Sequence, residues 1–122
     1  MHALIIEPQI LTAFMIEDAL RSIGFTSFAF ATTEADAVAA AEARCPDLIT
    51  AAVQLASGCG IDAVQEICRE RAIAVVFITQ NLKEVRRRAP RVAVVRKPFG
   101  VANLQAAIVA TRAGGASPAA QA

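Results

Sequence analysis

The sequence predicts a doubly wound α/β domain, a parallel sheet with helices on both faces, and three observations carry that prediction. Short apolar runs recur at residues 3–6, 25–30, 46–55, 73–78 and 92–95. Stretches of helical periodicity separate them, which is the pattern of right-handed βαβ units. The run from Pro46 to Leu55 is apolar or small over most of its length and ends at Ser57-Gly58-Cys59-Gly60, as expected of a central strand buried on both faces.

Ala3 to Ile6 is the first strand, ended by Glu7-Pro8. Pro8 is expected to open the first helix, since proline is tolerated in a first turn. Ile10, Ala13, Ile16, Leu20 and Ile23 follow at helical spacing on its inward face, and Gly24 stops it. His2 precedes the strand as a lone terminal residue, and a metal site needs several convergent ligands. Phe25 to Phe30 is the second strand. Thr33, with Asp36 three residues on, resembles a capping box ahead of a helix over Ala35 to Arg44.

After the central strand, Ile61 to Arg71 is the third helix, with Ile61, Val64, Ile67 and Cys68 inward. The preceding Gly58-Cys59-Gly60 lacks the third glycine and the lysine of a phosphate loop. Ile73 to Ile78 is the most β-branched run and predicts strand four, with Thr79 at its carboxyl end. Leu82 to Ala89 is a short fourth helix ended by Pro90. Val92 to Val95 is strand five, and Val101 to Arg112 is helix five with Val101, Leu104 and Ile108 inward. The domain therefore spans residues 1–112, and the small-residue segment 113–122 is expected to be a disordered tail.

At 122 residues and 56% hydrophobic content, the chain can bury one core. There is no Trp or Tyr, and alanine supplies much of the apolar count, so packing depends on close approach of small side chains. No apolar run reaches the ~18 to 20 residues that span a bilayer, and no signal-peptide pattern opens the chain. A cytoplasmic location is the expectation. Cys45, Cys59 and Cys68 have no CxxC spacing, so free thiols are expected rather than a zinc site or a disulfide framework.

The net charge of +1 conceals an asymmetry: residues 1–82 hold ten acids and four bases, and residues 83–122 one acid and eight bases. Lys83, Arg86, Arg87, Arg88, Arg91, Arg96 and Lys97 should give one side a positive field. Such a run reads as a solvated face, as a docking surface for an acidic protein, or as a phosphate-binding site for a nucleotide, since guanidinium groups bind phosphate bidentately. Nucleic acid is disfavoured, because the run lacks aromatic residues for base stacking.

The order Leu4-Ile5-Ile6-Glu7, Pro46-Asp47-Leu48, Gly60, Val75-Val76-Phe77-Ile78-Thr79 and Arg96-Lys97-Pro98-Phe99 resembles the receiver domain of bacterial two-component response regulators, across about residues 3–112. The resemblance implies a flavodoxin-like sheet of order 2-1-3-4-5, with a pocket at the carboxyl ends of strands one, three, four and five. In that family two acids after strand one bind Mg²⁺, an Asp ending strand three accepts a phosphoryl group from a histidine kinase, and a Thr or Ser and a Lys hold its oxygens. Here Glu7 matches the first acid, Pro8 replaces the second, and Ala52 stands at the acceptor position, while Thr79 and Lys97 match. A methyl group is no nucleophile, and a single carboxylate is a poor Mg²⁺ site.

The expectation is therefore a degenerate receiver, or pseudo-receiver, without catalytic residues, metal or cofactor. Lys97 should pair with Glu7 in the vacated pocket. Val94 stands where receivers usually carry an aromatic switch residue, and the segment from Thr79 to Lys97 is about one helical turn short for the family. The implied function is phosphorylation-independent binding of a signalling protein, such as a histidine kinase or response regulator, through the basic face of helix four, strand five and helix five. A homodimer is also open. The rivals are phosphoryl transfer to a non-standard acceptor, with Asp47, Asp62 and Thr50 as candidates, and a nucleotide sensor built on Arg86, Arg87, Arg88 and Arg91.

Overall fold

The computed structural model describes residues 1–114. The elements are β1 (His2–Ile6), α1 (Ile10–Arg21), β2 (Ser27–Ala31), α2 (Glu34–Ala43), β3 (Leu48–Ala51), α3 (Gly60–Ile67), β4 (Ala74–Thr79), α4 (Leu82–Arg88), β5 (Ala93–Arg96) and α5 (Val101–Gly114). The strands form one sheet of order β2-β1-β3-β4-β5, and every pairing is parallel. This is the flavodoxin-like arrangement implied by the sequence.

The strands alternate their side chains between two layers. Leu4 and Ile6 of β1, Ile49 and Ala51 of β3, and Val75 and Phe77 of β4 pack with Ala37 and Ala41 of α2 and Ile61, Val64 and Ile67 of α3. The intervening residues Ala3, Ile5, Leu48, Val76 and Ile78 pack with Ala13, Ile16 and Leu20 of α1 and Leu104 and Ile108 of α5. Each fully buried Leu or Ile contributes about 1.5 to 3 kcal/mol. Alanines on α1 and α2 supply the small contacts the composition implied.

Several boundaries differ from the sequence expectation. Pro8 does not open α1, which begins at Ile10 with Gln9 as its N-cap. Ile10 and Val101, both expected inward, are 66% and 48% exposed. Each opens a helix that follows a strand, so its turn overhangs the carboxyl edge of the sheet, where no strand lies beneath it. The helix predicted to reach Arg71 stops at Ile67, with Cys68 as C-cap. Helix five runs to Gly114 rather than Arg112, and the expected tail from residue 115 onward lies outside the described residues. Of the capping box expected at α2, the Thr33 half forms, its hydroxyl accepting from the Asp36 N–H at 3.1 Å.

Candidate functional site

The four parallel strands β1, β3, β4 and β5 end side by side, and the first residues beyond them continue the ladder. The Ala52 N–H donates to Ile6 O at 2.9 Å, the Lys97 N–H to Thr79 O at 3.0 Å, and the Glu7 N–H to Ala31 O at 2.9 Å. Sheet hydrogen bonds thus hold the backbone at each site position. Glu7, Ala52, Thr79 and Lys97, spread over 91 residues of sequence, line one cleft of about 740 Å³ together with Pro8.

The cleft needs a glycine beneath it. The chain leaves the sheet after Ala52, loops back, and starts α3 directly against it. A Cβ on Gly60 would lie 1.7 Å from the Ala52 carbonyl oxygen, while the Gly60 N–H donates to Val53 O at 2.7 Å. This close backbone crossing is why a glycine stands at that place in the loop.

Lys97 Nζ donates to Glu7 Oε1 at 2.6 Å, with side-chain exposures of 19% and 1%. This is the pair the sequence led one to expect. The other Glu7 oxygen accepts from the Gln9 N–H at 3.1 Å. The Thr79 hydroxyl accepts from the Asn81 N–H at 2.9 Å, and Asn81 Oδ1 in turn caps α4 by accepting from the Glu84 N–H at 3.3 Å. The Ala52 methyl is buried beside them.

The donor set does not fit Mg²⁺. Glu7 is the one carboxylate among the residues lining the cleft, and both of its oxygens are already engaged. Pro8 and Ala52 offer no side-chain oxygen, whereas Mg²⁺ demands near-octahedral oxygen coordination. Among the described residues no group of three or more His, Cys, Asp or Glu is placed to hold a metal.

The other carboxylates and the deep hydroxyl lie elsewhere. Asp47 is at the opposite edge of the sheet, where its Oδ2 accepts from the His2 N–H at 2.7 Å. Asp62 lies on α3, paired with Arg88. Thr50 is fully buried two residues before Ala52, in register with Ile5 and Val76.

The basic residues separate into two groups. Lys83, Arg86, Arg91 and Arg96 are exposed on α4, the turn after it and the end of β5. Arg87 pairs with Glu84 at 2.6 Å and remains exposed. Arg88 does not join them. It turns to α3, where it pairs with Asp62, donates to Gln65 Oε1 at 3.3 Å and contacts Cys59 Sγ at 3.8 Å. The hydrogen bond it donates to Asp62 raises its pKa further. No local signal linked residues 26 apart.

Sequence reasoning missed a second surface. Ile10, Leu11, Phe14 and Met15 of α1 are each more than half exposed. Leu11, Phe14 and Met15 fall at i, i+3 and i+4, a second apolar stripe beside the buried one that their spacing could have revealed.

Residues 3–109 match the family model for the response regulator receiver domain. The chain belongs to that family. It is 35% identical over 109 residues to the phyllosphere-induced regulator PhyR of Methylorubrum extorquens, covering 86% of this chain and 41% of that protein. It is similar to the PhyR receiver (REC) domain of Erythrobacter litoralis, with a TM-score of 0.82, 30% identity, and coverage of 93% of this chain and 89% of that one. It also resembles the anti-anti-sigma factor PhyR of Bartonella quintana, with a TM-score of 0.74, 31% identity, and coverage of 92% and 46%. This receiver domain thus spans less than half the length of the longer PhyR proteins it matches.

Proposed function

We propose that this receiver domain signals by binding a protein partner, without a phosphorylation switch and without enzymatic activity of its own. The observation that carries the reading is the residue after β3: Ala52 puts a methyl group into the cleft at the acceptor position. Lys97, which would neutralise an incoming phosphoryl group, is instead engaged by Glu7 at 2.6 Å. A phosphoryl transfer site needs an in-line nucleophile and charge neutralisation around it. Asp47 and Asp62, bound respectively by the His2 backbone and by Arg88, do not supply one here, and Thr50 lies sealed in the core.

Partner binding is supported by the exposed cations Lys83, Arg86, Arg91 and Arg96, with Arg87, carried by α4, the turn after it and the end of β5. They suit an acidic protein surface, because complementary charge steers encounter and selects partners. A relative bears the name anti-anti-sigma factor, so the proposed partner is a signalling protein of that kind of pathway.

The test is an amide NMR titration with Mg²⁺ followed by beryllofluoride, which stands in for an aspartyl-phosphate. The resonances of Glu7, Ala52, Thr79 and Lys97 are expected to stay in place at about millimolar ligand. Saturable shifts that spread into α4 would overturn the proposal.

A further inference from the structure

The edge of the sheet opposite the cleft holds a compact polar cluster. His2, the first residue of β1, is 5% exposed, and its Nδ1 lies 2.8 Å from Ser27 Oγ at the first register position of β2. Ser27 Oγ also accepts from Arg44 Nη1 at 2.8 Å. The His2 backbone and Asp47 lock reciprocally. The His2 N–H donates to Asp47 Oδ2 at 2.7 Å, and the Asp47 N–H donates to His2 O at 2.8 Å. One residue thus joins β1 to the edge strand β2 through its side chain and to the segment entering β3 through its backbone.

The hydrogen bonding suits a neutral imidazole. With Arg44 donating to Ser27 Oγ, the hydroxyl proton is free to point at Nδ1, which assigns the ring proton to Nε2. Nε2 is buried without a hydrogen-bond partner. Protonation would put a donor on both nitrogens. The Ser27 hydroxyl would then have to turn its proton away and accept from both Nδ1 and Arg44, placing a second cation beside the guanidinium. Nε2 would carry charge where it has no hydrogen-bond partner, which is costly for a buried group. Of the groups facing the ring, the Arg44 guanidinium and the Met1 α-amino group oppose protonation, and the Asp47 carboxylate and a hydrogen bond to the Ser27 backbone favour it.

We infer that His2, Ser27, Arg44 and Asp47 form an acid-sensitive clasp that fastens the edge strand β2 to the sheet and loosens when His2 is protonated. Burial, the largest influence, lowers the His2 pKa below its ordinary 6.5, with Arg44 adding to it. Between the folded and unfolded values the unfolded chain binds the extra proton. The stabilisation is therefore complete above about pH 6.5 and is lost as pH falls through the folded value. Because β2 is a sheet edge, its release would expose an unpaired strand at the end of the domain away from the cleft.

The experiment is amide hydrogen exchange followed by NMR from about pH 7.5 to about pH 5.5, read as protection factors so that intrinsic exchange is removed. It is run on the full chain and on His2→Asn, which keeps a polar atom near Nδ1 and does not titrate. Protection across β2 is expected to fall ahead of β4 in the wild type and to be flat with pH in the variant. If the variant fails to fold, the wild-type imidazole resonances decide, with titration below 6.5 supporting the clasp. Parallel loss in β2 and β4, the same loss in His2→Asn, or titration at or above the ordinary histidine value would each overturn it.

Discussion

Glu7 and Lys97, 90 residues apart in sequence, form one ion pair at 2.6 Å in the floor of the cleft, where Glu7 is 1% exposed. Each charge depends on the other, since either one alone would be left desolvated. Glu7→Gln and Lys97→Met should each cost about 3 kcal/mol, the low end of the range for a broken buried pair because Lys97 retains some solvent. The double variant should return to within about 1 kcal/mol of the wild type, or exceed it. Urea unfolding of the four proteins measures the cycle, and single variants costing well under 1 kcal/mol would mean that solvent screens the pair.

Gly60 is irreplaceable for a different reason. The atom that a Cβ would strike, 1.7 Å away, is backbone oxygen of Ala52 and cannot swing aside. Gly60→Ala should therefore cost more than about 4 kcal/mol or prevent folding. Gly100→Ala is the matched control, because the nearest atom to its new methyl is the Asn103 side chain at 3.8 Å. A circular dichroism melt of both variants checks the contrast.

The arginines should separate by role. Arg88→Ala loosens α4 from α3 and should lower stability by about 0.5 to 1 kcal/mol, as for a partly exposed ion pair. Arg86→Ala and Arg91→Ala should stay within about 0.5 kcal/mol. In a binding assay with poly-glutamate as an acidic probe the order reverses, with Arg86 and Arg91 variants weaker and Arg88→Ala little changed. Equal effects of all three on binding would show that Arg88 also faces the partner.

The three thiols should react in order of access. Cys45 is exposed, Cys59 half-buried and Cys68 buried, and burial pushes the Cys68 thiol up from 9.0 to about 11. Ellman's reagent should label Cys45 first and leave Cys68 untouched until denaturant is added. The stability linked to Cys68 is complete below the unfolded value of 9.0 and is lost as pH rises towards about 11, because the unfolded thiol gives up its proton first. Cys68→Ala should flatten that part of the alkaline stability profile, whatever it costs in packing.

Much of the fold was legible because its signals are local. The run Val75 to Ile78 reads as a buried strand from its β-branched content, and it is buried on both faces. Thr33 read as a cap because the N–H it serves lies three residues on. Ile10 and Val101 misled because periodicity specifies a helical face but not how far the sheet extends beneath it. The site residues Glu7, Thr79 and Lys97 were recognisable from the order of short motifs, and the sheet brings their positions together as that order implies. Arg88 was misplaced and His2 underrated because their partners, Asp62 and Ser27, are 26 and 25 residues away, with nothing in between to connect them.

The sequence by itself determined the α/β alternation, the residue types at the ends of β1, β3, β4 and β5, and the absence of a carboxylate at positions 8 and 52. Those properties depend on covalent identity and on periods of two and 3.6 residues, which neighbours along the chain express. Only the tertiary structure decided that Lys97 rests on Glu7, that Arg88 turns to α3, and that His2 ties β1 to β2 and to the segment entering β3. Those pairings depend on distances of a few ångströms between residues remote in sequence, and such distances exist only once the core has packed.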